Sequence, residues 1–308
     1  MYICDLIYSD MLKDTFKNSE PFSKIIQLVF VSFISLLVAV VFTLMIGIDT
    51  TNILSLKFNQ LFESAMIFIF PPVFLGFIWY DNPVESFSLK LKPTFKIVFL
   101  VVLLMIAITP FINLLSYLNE QMAFPESLKK IEIYFKEMED AAAEITKQML
   151  NVNSFGGLFI NLFIIAIVPA IGEELYFRGT LQKIISEKNS KTFAIWITAI
   201  IFSLIHFQMY GFLPRMILGA LFGYLLVWSG SLWVPVIAHF TNNGMAVLFS
   251  YFEKDNADIG VIENIGKSET YWTGIISAVI AGWIIWQIYK ISQRKPEKTD
   301  VLIVDKKG

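Results

Sequence analysis

Charged side chains are scarce in this sequence, and cysteine and histidine are scarcer still. Only 16% of the 308 residues are Asp, Glu, Lys or Arg, whereas 56% are hydrophobic. That balance excludes an ordinary soluble domain and predicts a membrane protein. The net charge of −2 leaves no basic excess. The basic residues are scattered among the connections, which argues against a nucleic-acid partner.

The single cysteine, Cys4, cannot form an internal disulfide and indicates nothing about the redox compartment. Residues 1–21 lack the apolar core and small-residue cleavage site of a signal peptide, so we expect the first apolar run to be an uncleaved anchor. Three arginines stand against 21 lysines, a bias typical of AT-rich genomes. Together these features favour the plasma membrane of a bacterium.

Long apolar runs dominate the rest of the chain. A helix needs about 20 apolar residues to cross the hydrocarbon core, because its backbone must satisfy its own hydrogen bonds there. The sequence therefore predicts an all-α membrane protein of about eight spans, with kinks at Pro71-Pro72 and Pro110. The predicted spans lie near residues 24–48, 61–80, 96–118, 155–185, 191–207, 213–229, 232–252 and 271–291.

The runs divide the chain into three parts. Residues 1–154 hold about three spans and an amphipathic connecting segment, which we expect to lie along the membrane interface or cover the bundle. Residues 155–252 hold about four spans, and residues 253–308 hold the last span and a polar tail. Lys and Arg concentrate in the N-terminal segment, in the connections near residues 90 and 188, and in that tail. This pattern places both termini in the cytoplasm.

Polar residues stand out in the second half of the chain. A charged residue at the bilayer centre costs about 2.5 to 3.5 kcal/mol, so each one needs a partner or a function. A lone histidine in a helix is most often structural, but both histidines of this chain lie in apolar runs. The unexpected polar residues are Glu173, Glu174 and Arg178 in the fourth run, His206 at the end of the fifth, and His239 and Asn243 in the seventh.

Spacing predicts how these residues are arranged. Glu174 and Arg178 lie one helical turn apart and are expected to form an ion pair, which is the purely structural explanation for two of the charges. The adjacent Glu173 projects about 100° away around the helix and remains free for another neighbour.

Depth along the helical hairpins predicts that the polar residues converge. Glu173 lies about 16 residues before the turn near residue 190, and His206 lies about 17 after it, so both reach the same height. His239 lies about 9 residues beyond the next short turn, or ~14 Å deep, near the bilayer midplane. Asn243 lies one turn further on the same helix face. By contrast, we expect Arg215, near a span end, to reach out to the interface.

Three ordered motifs carry a family resemblance. They are Glu173-Glu174-x-x-x-Arg178, Phe202-x-x-x-His206 and His239-x-x-x-Asn243. Together they resemble the CAAX prenyl protease and bacteriocin-processing family of intramembrane proteases, also called CPBP or Abi, over residues 155 to about 250. The resemblance implies that residues 155–252 form the catalytic core and that the core hydrolyses a peptide bond.

The resemblance also implies a role for each residue. Glu173 and His206 would activate a water molecule, and His239 and Asn243 would stabilise the oxyanion. The four catalytic candidates would be positioned by three further residues that do not contact the substrate, Glu174, Arg178 and Phe202. Of these, Glu174 and Arg178 would orient Glu173.

Metal use stays open at this stage. Members of the family are commonly labelled metalloproteases, and Glu173, His206 and His239 could bind zinc. However, no His-Glu-x-x-His motif sets two imidazoles on one helix face. We therefore expect no essential metal or other cofactor, with zinc as the alternative.

Two other functions compete with a protease. An inactive immunity or scaffold protein is disfavoured because all three motifs are intact. A transporter is disfavoured because the polar residues lie in one half of the chain, whereas transporters often place them in matching halves. The expected partners are the lipid bilayer and a membrane-embedded or membrane-associated protein or peptide, such as a bacteriocin precursor or a membrane-anchored regulator.

Overall fold

The computed structural model describes residues 16–47, 52–122, 124–253 and 264–293. Cys4, the charged residues before Phe16 and the tail from residue 294 onward lie outside these ranges. The described residues form helices and no strand. The main helices are α1 (Pro21–Ile46), α2 (Ile53–Trp79), α3 (Phe95–Glu120), α4 (Lys129–Leu150), α5 (Phe155–Ser186), α6 (Lys191–Leu204), α7 (Phe212–Ser229), α8 (Trp233–Glu253) and α9 (Tyr271–Ser292).

The all-α membrane fold is confirmed, and each of the eight predicted spans coincides with a helix. Six helices in the described residues are long and apolar enough to cross a membrane, namely α1, α2, α3, α5, α9 and α7 with the turn before it. The other two differ for separate reasons. Helix α6 has only 14 residues, and α8 carries a polar cluster around His239 that lowers its hydropathy.

Two of the spanning helices contain wide π-helical turns. In α2 the turn Ala65–Ile69 directly precedes Pro71 and Pro72, where the sequence predicts a kink. In α5 such turns cover Leu162–Ile167 and Glu174–Leu181. A π turn rotates the side chains that follow it relative to a regular helix, and such turns are frequent at functional sites.

Helices α3 and α9 are joined through the hydroxyl of Ser277. The backbone N–H of Phe111 donates to Ser277 Oγ at 3.2 Å, and Ser277 Oγ donates to the Ala107 carbonyl at 2.5 Å. The hydroxyl thus bridges a donor and an acceptor that an undisturbed helix would join directly. A side chain inserted into the helical ladder is a recognised cause of bending, and here it accompanies Pro110.

One end of the bundle is held by ion pairs. Lys17 pairs with Asp81 at 2.6 Å, Lys24 pairs with Glu187 at 2.9 Å, and Lys188 pairs with Glu20. These contacts place the start of α1, the connection after α2 and the turn between α5 and α6 at the same end. The predicted topology, in which successive spans cross the membrane in opposite directions, requires these three segments to lie on the same side.

Helix α4, the predicted amphipathic segment, covers the loop between α6 and α7. The backbone N–H of Tyr210 donates to Glu139 Oε2, and its phenol donates to Glu132 Oε1, both at 3.1 Å. Burial raises the pKa of the Glu139 carboxyl above its ordinary value, although the Tyr210 N–H acts in the opposite direction. Helix α4 therefore packs over the loop at Tyr210.

Candidate active site

A cavity of about 300 Å³ lies between α3, α5, α7, α8 and the loop after α6. Four side chains line it together: Glu173 from α5, His206 from the loop, and His239 and Asn243 from α8. The structure thus brings together the four residues that the sequence places at one depth. The remaining lining residues are Ile112, Ser116, Phe202, Gly211, Pro214, Arg215, Leu218, Phe222 and Asn242.

Behind the cavity, Glu174 and Arg178 form the ion pair that their spacing predicts. Arg178 Nη1 lies 2.8 Å from Glu174 Oε1, and both side chains are fully buried. Arg178 Nη2 also donates to the Gly219 carbonyl at 3.0 Å. The guanidinium carbon lies 4.6 Å from the ring centroid of Phe202, within the range of a cation–π contact. Arg178 therefore ties α5 to α7 and to α6.

Close contact with α7 depends on glycine at two positions of that helix. An added Cβ at Gly219 would lie 3.3 Å from Arg178 Nη2, and one at Gly223 would lie 2.6 Å from Gln182 Oε1. One turn beyond Arg178, Gln182 Nε2 donates to the Gly223 carbonyl at 3.3 Å. The two glycines thus expose their carbonyl oxygens to two polar side chains of α5, in addition to allowing close packing.

His239 lies between the two carboxylates. Its Nδ1 is 2.8 Å from Glu174 Oε1, and its Nε2 is 3.9 Å from Glu173 Oε2. The ring also stacks on Phe222, with centroids 5.5 Å apart. Glu174 therefore orients His239, whereas the sequence had suggested that it orients Glu173. Because Nδ1 donates to a carboxylate, Nε2 carries a hydrogen only when His239 is an imidazolium.

His206 is held by the end of its own helix. Its Nδ1 lies 2.7 Å from the Phe202 carbonyl oxygen, which can only accept. In the neutral ring, Nε2 is then a hydrogen-bond acceptor. The next residue, Phe207, has a φ of 53°, an uncommon value for a bulky side chain that marks a constrained turn. Glu173 and His206 share the cavity wall without a direct hydrogen bond between them.

Two asparagines present amide groups at the cavity. Asn243 Nδ2 donates to the Ile165 carbonyl at 3.2 Å, and Asn242 Nδ2 donates to Asn243 Oδ1 at 3.2 Å. Each amide nitrogen has a second hydrogen for another acceptor. Sequence analysis missed Asn242, although the pair of adjacent asparagines in an apolar run was a visible signal.

Arg215 is a correction to the sequence analysis. It lines the cavity instead of extending to the membrane interface. Its Nη1 donates to the Gln208 carbonyl at 3.4 Å, and its Nη2 donates to Gln208 Oε1 at 2.5 Å. The physical reason is that Gln208, in the loop before α7, holds the guanidinium at the cavity through these two hydrogen bonds.

The fit to a metal can be tested on the donor groups. Within residues 16–47, 52–122, 124–253 and 264–293, no three His, Cys, Asp or Glu side chains form a group that could hold a metal ion. Glu173, His206 and His239, the alternative zinc ligands, line one cavity but do not form such a group. In this geometry the three side chains share a cavity wall but are not arranged as a preformed set of metal ligands.

Comparison with known proteins agrees with the motifs. Residues 155–245 match the family described as type II CAAX prenyl endopeptidase Rce1-like. The Bacillus subtilis (strain 168) protein named "Putative membrane peptidase YdiL" is 28% identical over 126 residues, covering 39% of this chain and 51% of that protein. The "Uncharacterized protein YpbD" of the same organism is 27% identical over 115 residues, covering 35% of this chain and 57% of that protein.

The chain thus spans about half the length of the curated relatives that it matches. No solved structure matches it. The family match covers α5, α6, α7 and most of α8, which together with the loop after α6 supply the residues around the cavity, apart from Ile112 and Ser116 of α3. The similarity to the Rce1-like family thus covers residues 155–245, the part of the chain that carries the three motifs.

Proposed function

We propose that the protein is an intramembrane endopeptidase that hydrolyses a peptide bond of a membrane-embedded or membrane-associated protein or peptide. The observation that carries this proposal is the shared cavity, which Glu173, His206, His239 and Asn243 line together. The Rce1-like match over residues 155–245 supports the reaction class. An acid–base pair opposite fixed hydrogen-bond donors is the arrangement that acyl transfer needs.

In the proposed first step, water attacks the scissile carbonyl carbon. Glu173 takes one proton of the water, and His206 Nε2 accepts a hydrogen bond from its other hydrogen and so orients it. His206 can do this because its Nδ1 is already committed to the Phe202 carbonyl. Fixing the water next to its base removes much of the entropic cost of bringing the reactants together.

The carbonyl oxygen becomes negative as the new C–O bond forms. His239 Nε2–H and the second amide hydrogen of Asn243 donate to this oxyanion. This role requires His239 to be an imidazolium, since its Nδ1 donates to Glu174. The C–N bond then breaks, and the leaving amine takes the proton held by Glu173. The products are a new carboxyl terminus and a new amine.

Side chains of the chain itself supply every group in this scheme. Glu173 is the base, and His239 and Asn243 are the oxyanion donors, so the proposed reaction requires no metal. The arrangement of the donors supports this proposal, because the candidate zinc ligands do not form a metal-holding group in the described residues.

We place the protein in the plasma membrane of a bacterium, with both termini in the cytoplasm. The scarcity of arginine, the two Bacillus subtilis relatives and the lysine-rich connections support this assignment. The ion pairs around Lys17, Lys24 and Lys188 support the placement of those connections on one side.

The function can be tested in cells that lack the gene. Membrane peptides are compared by mass spectrometry in the deletion strain, in the strain complemented with wild type, and in the strain complemented with Glu173→Gln. We expect an uncleaved precursor to accumulate in the deletion strain and with Glu173→Gln, and to disappear with wild type. Complementation by Glu173→Gln at equal expression would overturn the proposal.

A further inference from the structure

Two arginines reach the candidate active site, and their surroundings differ. Arg178 is paired with Glu174 at 2.8 Å. Arg215 lies in the cavity wall, and both of its hydrogen bonds go to the uncharged Gln208. No carboxylate among the described residues lies within 4.0 Å of it. Within the described residues, the candidate active site thus contains a guanidinium with no carboxylate in contact.

The guanidinium of Arg215 has donors to spare. An arginine carries five N–H donors in a planar fork and stays charged in proteins. Gln208 accepts from one hydrogen on Nη1 and one on Nη2, which leaves three donors. The fork packs closely against Gly211, because an added Cβ there would lie 2.9 Å from Arg215 Nη2. The acids that act on Arg215 through space are Glu139 and Glu173, and neither is in contact with it.

A planar fork with free donors in a partly buried cavity matches one kind of ligand closely. A carboxylate presents two coplanar oxygens that accept paired N–H bonds from a guanidinium. Glu173, the proposed base, lines the same cavity without contacting the fork. A substrate bound in this cavity could supply such a carboxylate.

We propose that Arg215 binds a carboxylate of the substrate and makes the enzyme select peptides that carry a carboxylate close to the scissile bond. The proposal rests on the endopeptidase function. A C-terminal carboxylate and an Asp or Glu side chain offer the same group, so the test must separate these two sources. Arg215 is then a specificity-determining residue supplied by the first turns of α7.

A purely structural role for Arg215 makes a different prediction. Through Gln208, Arg215 fastens the loop that carries His206. If that were its only task, its loss would lower the cleavage of every peptide by the same factor. Removal of the Gln208 side chain would then reproduce the effect.

The experiment uses the purified full chain in lipid nanodiscs and matched fluorogenic peptides. One peptide has uncharged side chains and a free C-terminus, a second is its C-terminal amide, and a third is the amide with a single Glu near the cleavage site. A fourth carries Gln in place of that Glu, and a fifth carries Lys. The value of kcat/KM is measured for wild type, Arg215→Gln, Arg215→Glu and Gln208→Ala.

We expect wild type to prefer at least one carboxylate peptide over its uncharged partner by about 10- to 100-fold, the range for a hydrogen bond to a charged group. The first and second peptides report on the C-terminus, and the third and fourth report on the side chain. Arg215→Gln should abolish the preference, and Arg215→Glu should shift it toward the Lys peptide. Gln208→Ala should keep the preference of wild type.

Wild type that cleaves all peptides equally well would overturn the carboxylate proposal and leave the endopeptidase function intact. A uniform loss in Arg215→Gln, copied by Gln208→Ala, would assign Arg215 a structural role only. If wild type cleaves none of the peptides, their binding to the Glu173→Gln protein is measured by fluorescence anisotropy. This measurement then tests the carboxylate preference without cleavage. Tighter binding of the carboxylate peptides by Glu173→Gln, lost in the double variant with Arg215→Gln, supports a carboxylate site at Arg215. Equal binding of all peptides overturns it.

Discussion

Glu174 Oε1 accepts hydrogen bonds from both His239 Nδ1 and Arg178 Nη1, each at 2.8 Å. One carboxylate oxygen therefore links the imidazole of α8 to the buried guanidinium of its own helix. Because the two bonds share an acceptor, a change in the structural pair also reaches the proposed oxyanion donor. Stability and activity are thus expected to be coupled at this position.

The proposed base and its partner are tested first. Glu173→Gln and His206→Ala should each lower kcat by at least about 100-fold, since positioned acid–base groups contribute on that scale. Both side chains line a cavity, so the melting temperature should change little. Activity is measured on a fluorogenic peptide and folding by thermal unfolding in detergent. Full activity in purified Glu173→Gln would refute the mechanism.

The buried ion pair is tested by Arg178→Ala. This change leaves the Glu174 carboxylate without its cation in a fully buried place and should cost about 3 to 5 kcal/mol of unfolding free energy. The exposed pair of Lys17 and Asp81, with side chains 42% and 77% exposed, supplies the control. Lys17→Ala should cost no more than about 1 kcal/mol. Equal stability of both variants in denaturant titrations would contradict the expected difference.

The role of His239 separates two kinds of catalysis. As an oxyanion donor it acts on the transition state, so His239→Ala should lower kcat by about 100- to 1000-fold with little change in substrate affinity. A zinc ligand would instead be needed to retain metal. Wild type and His239→Ala are treated with a strong chelator, and bound metal and cleavage are measured. Stoichiometric zinc that is lost with activity, and restores it on addition, would refute metal-independent catalysis.

The serine bridge between α3 and α9 provides a matched pair of variants. Ser277→Ala removes the partner of the Phe111 N–H and the Ala107 carbonyl, and should cost about 1 to 3 kcal/mol. Ser35 is equally buried, at 2% exposure, and its hydroxyl has no hydrogen-bond partner among the described residues. Ser35→Ala should therefore be neutral or slightly stabilising. Thermal unfolding of the two variants side by side tests the difference, and a larger loss at Ser35 would contradict it.

The glycines of α7 give a similar comparison. Gly223→Ala would place a Cβ 2.6 Å from Gln182 Oε1 of α5 and 3.0 Å from Ile195 Cγ2 of α6, so the Gln182 amide must move and the packing of α7 against α6 must adjust. We expect a loss of about 1 to 3 kcal/mol, typical of overpacking. Gly282, in α9, has no atom within 4 Å of an added Cβ. Gly282→Ala should be neutral or gain about 0.5 to 1 kcal/mol. Unfolding midpoints in detergent that shift alike would show that the contact is not tight.

The convergence of the site could be predicted from the sequence because hairpins convert residue counts into height. Equal counts from the turn near residue 190 placed Glu173 level with His206, and both line the cavity. The spacing of Glu174 and Arg178 predicted their ion pair for a similar reason, since neighbours within one helix depend on local geometry alone.

Direction around the helix axis could not be predicted in the same way. The resemblance assigned Glu174 to orienting Glu173, whereas Glu174 Oε1 meets His239 Nδ1, a contact that depends on how α5 and α8 pack. Arg215 was misplaced because Gln208, in the loop before α7, holds its guanidinium at the cavity. The span count differed at α6, which has only 14 residues, and at α8, whose polar residues around His239 lower its hydropathy.

The burial of Arg178 has a consequence for how the chain is made. Its counter-ion lies one turn earlier on the same helix, so α5 leaves the ribosome with both charges already adjacent. A nascent segment that carries its own neutralising partner avoids most of the cost of about 2.5 to 3.5 kcal/mol for placing a lone charge in lipid. His239 is synthesised 65 residues later and docks onto a carboxylate that is already in place. Residue order along the chain thus allows the helix that carries the buried ion pair to enter the bilayer before its proposed catalytic partners are synthesised.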